Sequence, residues 1–86
     1  MPTLSIFDCI KIILYYRDHQ PPHFHANYAE YEAEVGIDPI MILEGSLPRP
    51  ERTKVLAWAA LHQAELRANW ELARGGRQLL PIEPLD

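Results

Sequence analysis

Apolar residues alternate or cluster in short runs through the first half of the chain and recur at helical spacing in the second. Residues 10–16, IKIILYY, are β-branched and aromatic over seven positions, the signature of a strand. Ile10, Ile12, Leu14 and Tyr16 share one face; Lys11, Ile13, Tyr15 and Arg17 share the other. LSIF, residues 4–7, predicts a shorter strand antiparallel to it. HFHANY (23–28) and YEAEVGI (31–37) predict a β-hairpin turning at Ala29-Glu30, with a four-residue loop from Asn27 to Glu30 as the alternative. One more short strand is expected before Gly45. From Glu51 to Arg74 no proline or glycine interrupts the chain, and Gly75-Gly76 then ends it, so a single long helix is predicted. Pro48 and Pro50 flank its start, and Glu51 suits the positive end of its dipole. Its apolar stripe is Val55, Trp58, Ala59, His62, Leu66, Asn69, Trp70 and Ala73. QLLPIEPLD then predicts an extended tail against the body or a partner. The expected fold is α+β: a small antiparallel sheet of three to four strands, with one long C-terminal helix on one face.

Composition keeps this picture to one domain over residues 1–86. Of these 86 residues 48 % are apolar, enough for a modest core. Net charge is -4, which disfavours broad phosphate-backbone binding. The single cysteine, Cys9, excludes an internal disulfide and a CxxC knuckle, and is expected as a small apolar filler beside a strand. No basic, apolar leader opens the chain, and no run reaches the roughly 20 apolar residues of a membrane span. The expected setting is cytoplasmic, without membrane contact.

Chemistry concentrates in RDHQPPHFHA, residues 17–26, which holds three of the four histidines. Strand alternation puts Phe24, Ala26 and Tyr28 toward the core and His23, His25 and Asn27 on the outer face. With a two-residue turn, His25 lies opposite Glu34 and Asn27 opposite Glu32. Two physical readings follow. Cross-strand His–Glu pairs on a polar face contribute roughly 0.2–1 kcal/mol each. Alternatively, His-x-His on a strand is a bidentate platform for zinc, nickel or copper, completed by Glu34, His19 or Asp18. The metal set is then His23, His25 and Glu34. A third, catalytic reading uses Arg17, Asp18, His19, His23 and His25: Arg17 holds an anion while an imidazole moves a proton, as in metal-free RNA cleavage. His62 sits on the core stripe and is expected to be a hydrogen-bonded core histidine, apart from the others.

RDHQPPHFHANYAEYEAEV, LEGSLPRPERTKVLAWAALHQAELRANWELA and PIEPL together resemble a family of small bacterial proteins of unknown function. Its members share a P-H-x-H-A segment, a G-x-L-P turn and a helix with Trp, His and Trp at the spacing of Trp58, His62 and Trp70. Some carry Gly at the position of Ala29. The resemblance implies a cytoplasmic protein from a two-gene, toxin–antitoxin-like pair. Its partner would be a small protein encoded beside it, with homo-oligomerisation a further option. It implies no activity and no catalytic residues.

Overall fold

The structure is a computed structural model and describes residues 3–85. The fold is α+β. Five strands, β1 (Thr3–Phe7), β2 (Ile10–Ile13), β3 (His23–Tyr28), β4 (Tyr31–Gly36) and β5 (Ile42–Gly45), form one antiparallel sheet in chain order. The expected three to four strands become five because both short candidates, near the start and before Gly45, join the sheet.

The turn between β3 and β4 is the tight one. Tyr28 pairs with Tyr31, His25 with Glu34 and Asn27 with Glu32, as the alternation requires. Ala29 therefore sits at φ 51, in the left-handed region where an L side chain crowds its own carbonyl. Glycine has no such penalty, although its freer unfolded chain offsets part of the gain. Ala29→Gly is expected to stabilise the fold by about 0.5–1 kcal/mol. Urea denaturation checks this; a loss of stability would mean that the turn relaxes without strain. Cys9 departs from expectation: with Asp8 it forms the β1–β2 turn, at φ 63, and is exposed. A two-residue hairpin needs positive φ at its tip, and that places the thiol in solvent.

The predicted single helix is two. α1 spans Arg49–Leu61 and α2 spans Gln63–Arg74, with His62 between them at φ -116, ψ 24. The His62 N–H is shared between the Trp58 and Ala59 carbonyls at 3.1 and 3.2 Å, a local tightening that breaks the regular i→i−4 ladder. The stripe otherwise faces the sheet: Val55, Trp58, Ala59, Leu66, Asn69, Trp70 and Ala73 are all buried, while His62, expected in the core, is only partly buried and bonds the exposed Glu65. Phe24 meets Trp58 edge to face at 5.8 Å, and Phe7 lies 5.5 Å away. Gly75 and Gly76 end α2, with Gly76 at φ 69.

The tail is extended and stitched to the helices. Asn69, buried on α2, donates from Nδ2 to the Leu80 carbonyl and accepts from the Leu80 N–H. The Trp58 indole N–H donates to the Glu83 carbonyl at 2.8 Å, and the Ile82 N–H to Leu4 of β1. Leu79 and Ile82 complete the core.

Candidate metal centre

The face of the sheet away from Trp58 carries the histidines, but it is not open. Ile13 pairs with His25 and is 1 % exposed, although it lies outside the main core. The connection from β2 to β3 folds back across this face. Tyr15 meets the His25 ring edge-on at 4.7 Å, and Asp18 reaches both strand histidines. The prolines at 21 and 22 keep the connection extended and without backbone donors as it enters β3.

The expectation that His23 looks outward to solvent is corrected by this loop. Strand parity is as expected, with Phe24 against Trp58, yet the His23 side chain is fully buried. It occupies the first position of β3, between His19 (4.8 Å), His25 (5.2 Å) and Trp70 of α2 (5.4 Å, ring centroids). Burial comes from neighbours that the strand pattern does not contain.

His23 Nδ1 lies 2.7 Å from the Pro21 carbonyl. A carbonyl only accepts, so Nδ1 carries a proton and donates. Nε2 then faces Asp18 Oδ2 at 3.0 Å and Glu34 Oε1 at 3.4 Å. Neither oxygen satisfies hydrogen-bond geometry with it, and Nε2 is a buried atom without a partner. A lone pair crowded by two carboxylates calls for positive charge in the gap. A proton on Nε2 would point at neither oxygen.

The other groups fit the same reading. His25 Nε2 is 3.2 Å from Asp18 Oδ2. Its Nδ1, also buried without a partner, is 3.5 Å from Glu32 Oε2. Glu32 thus stands behind the ring within ion-pair range but without a hydrogen bond to it. Two trios bring their ligand atoms within 4.8 Å of one another: Asp18, His23 and His25, and His19, His23 and Glu34. The two trios overlap at His23. Glu34 joins His23 through His19, not through His25. His19 is the loose member, 66 % exposed, with Nδ1 2.9 Å from Asp18 Oδ1.

Burial works against the ionised form of Asp18, but the His19 backbone N–H, the His25 side chain and the charges of His23 and His19 outweigh it. The carboxyl therefore ionises below its usual range. A depressed pKa contributes stability above the unfolded value that is lost as pH falls through the folded one. Asp18→Asn should thus be less stable than the parent near neutral pH in metal-free buffer. The difference should close as pH falls below the ordinary carboxylate value of 3.8. Paired urea titrations at several pH values measure it; a gap independent of pH would assign the loss to packing instead.

One candidate, Arg17, makes its contacts elsewhere. The Arg17 guanidinium lies against Gly76, where a Cβ would meet Nη2 at 3.1 Å. Among the described residues no lysine or arginine pairs with Asp18 or Glu34. His62 packs on Trp58 (5.4 Å) and bonds Glu65 at 2.6 Å. Asp18 was legible as a candidate ligand; Glu32 was visible only as the cross-strand neighbour of Asn27, not as a neighbour of His25.

Fold and site together define a small α+β protein with a histidine–carboxylate cluster under a folded-back loop. Residues 9–71 match the family described as Domain of unknown function (DUF4160), and the chain belongs to that family. The matched span holds the whole cluster and most of both helices, and stops short of the tail. Neither curated proteins nor solved structures give a match. No helix among the described residues is long and apolar enough to cross a membrane.

Proposed function

We propose that the chain binds one divalent transition-metal ion through Asp18, His23 and His25, with Glu34 and His19 as exchangeable ligands. The observation that carries this reading is the buried, unpartnered Nε2 of His23 facing two carboxylate oxygens. A donor set of imidazole and carboxylate without thiolate suits zinc, nickel or copper(II). Three protein ligands leave a coordination position open, the arrangement of a working metal centre and not of a closed structural one. Calorimetric titration with zinc chloride at neutral pH should give one ion per chain, and Asp18→Asn/His25→Ala should remove that uptake. Equal uptake by parent and double variant would refute the site. Uptake should weaken on acidification, because the ligand nitrogens must be free of protons.

A second reading, that the chain docks a small protein encoded beside it in a toxin–antitoxin-like pair, is supported by β5. This edge strand is largely exposed, and Met41 and Leu43 are 49 % and 37 % exposed beside it. An open edge with apolar side chains is a template for strand addition. Co-expression with the neighbouring gene product should give a co-purifying complex; a chain that elutes alone would count against it. Metal-free RNA cleavage by His19, His23 and His25 has less support, because Arg17 lies against Gly76 and the cluster is bordered by carboxylates.

A further inference from the structure

Residues 79–85, Leu-Leu-Pro-Ile-Glu-Pro-Leu, lie between β1 and the two helices, and they are held by their main chain. The Asn69 amide engages Leu80 at both ends: Nδ2 donates to its carbonyl at 3.0 Å and Oδ1 accepts from its N–H at 2.7 Å. The Trp58 indole donates to the Glu83 carbonyl, and the Leu4 carbonyl of β1 accepts from the Ile82 N–H at 2.8 Å. Main-chain bonds of this kind give affinity for an extended segment whatever its side chains, and pockets for particular side chains add the choice of sequence. Asn69 is 2 % exposed on an otherwise apolar stripe, so without a peptide unit beside it both amide atoms would be buried and unsatisfied. The side chains that enter are Leu79 and Ile82, both buried, while Leu80, Pro81, Glu83 and Pro84 are exposed.

Pro81 and Pro84 frame a P-x-x-P segment, and each fixes its own φ and holds the residue before it extended. Such segments dock in aromatic-lined grooves because little conformational freedom remains to be lost. Trp58 supplies the aromatic donor here. The tail does not fill its seat. A cavity of about 170 Å³ remains between it and α2, lined by Ala68, Asn69, Leu80 and Pro81 among others. That is room for a side chain larger than leucine at the residue Asn69 holds. We infer that this groove binds proline-rich segments of another protein, of the pattern apolar–aromatic–Pro–apolar–x–Pro, and that the chain's own tail occupies it in their absence. The metal reading is not needed for this, since the groove uses none of its ligands. A tethered tail competes at an effective concentration of the order of millimolar, so an incoming segment prevails by fitting the cavity better than leucine does.

The test uses the full chain, as the parent and as Ile82→Asp, which removes a buried anchor and frees the groove. The probes are the acetylated, amidated peptide of residues 78–85, an analogue with phenylalanine in place of Leu80, and an analogue with alanine in place of both Pro81 and Pro84. The Trp58 indole N–H resonance is the readout. In Ile82→Asp it should move upfield as the Glu83 carbonyl departs, and the first two peptides should return it saturably. The phenylalanine peptide should bind about threefold more tightly than the first, from the apolar surface it buries. The alanine peptide should bind about tenfold more weakly, having lost its preset conformation. A Trp58 signal that the peptides leave unmoved in a folded Ile82→Asp chain overturns the inference, as does equal binding of the proline and alanine peptides. A parent that sediments as a dimer, with Ile82→Asp monomeric and deaf to the peptides, assigns the groove to tails exchanged between copies and also overturns it. Should Ile82→Asp fail to fold, hydrogen exchange in the parent decides. Leu80 and Ile82 amides that exchange about tenfold faster than those of β3 show a groove that opens while the sheet stays closed. Equal protection shows a fixed tail and ends the proposal.

Discussion

His23→Ala is expected to hold zinc at least about a hundredfold more weakly than the parent chain, the upper end of what losing even an outer-shell group costs. His23 supplies the one ligand atom common to both trios, so no alternative pair replaces it. Its ring is also held in one tautomer by the Pro21 carbonyl, so little ordering remains for the metal to impose. The metal-free variant should lose roughly 1–3 kcal/mol. A fully buried ring against Trp70 leaves a void, although removing a nitrogen pressed by carboxylates returns part of that cost. Competition with a chromophoric chelator gives the affinity, and urea denaturation in chelator gives the stability. His25→Ala, where the side chain is 12 % exposed, tests the second ligand: zinc affinity should fall, with a smaller loss of stability than at the fully buried His23. An affinity within threefold of the parent for both variants would remove the metal site.

The largest loss of stability is expected at Trp58. Its ring is fully buried and contacts Phe7, Phe24 and His62, joining both ends of the sheet face to the helix break. Trp58→Ala should cost about 3–5 kcal/mol from lost transfer and the residual cavity. It also leaves the Glu83 carbonyl without its donor, loosening the tail. In a domain of this size such a loss is a large share of the whole stability, of the order of 5–15 kcal/mol. At ~4–8 °C per kcal/mol, melting should fall by roughly 12–40 °C, readable by circular dichroism. Trp58→Phe separates ring from indole N–H: it should keep most of the packing but lose protection of the tail amides against hydrogen exchange. A drop below ~5 °C for the alanine variant would show that the tail and sheet hold without this anchor.

The hairpin register, the helix stripe and the glycine stop were legible because each is a local rule. Alternation fixes which residues oppose each other, so the pairing of His25 with Glu34 followed from the turn length alone. The stripe from Val55 to Ala73 followed from the 3.6-residue period. The burial of His23 was not legible. Parity assigns a face, but not what covers it, and the cover here is a non-periodic stretch, Asp18 and His19, with Trp70 arriving from forty-seven residues downstream by a packing that no spacing rule encodes. The break at His62 was likewise silent, since the residue continues the apolar period while its N–H divides between two carbonyls. Arg17 read as a neighbour of the cluster by sequence proximity. Its backbone adopts φ 54, and its guanidinium ends against Gly76.

Glu44 stands on β5, one of the two flanks of the sheet, between Leu43 and the glycine that ends the strand. A charge at that place makes stacking of two such flanks unfavourable, so it acts as a gatekeeper against fibrous growth. Salt, which screens this repulsion, should favour sheet-to-sheet assembly, and the protein is best handled dilute and at low ionic strength.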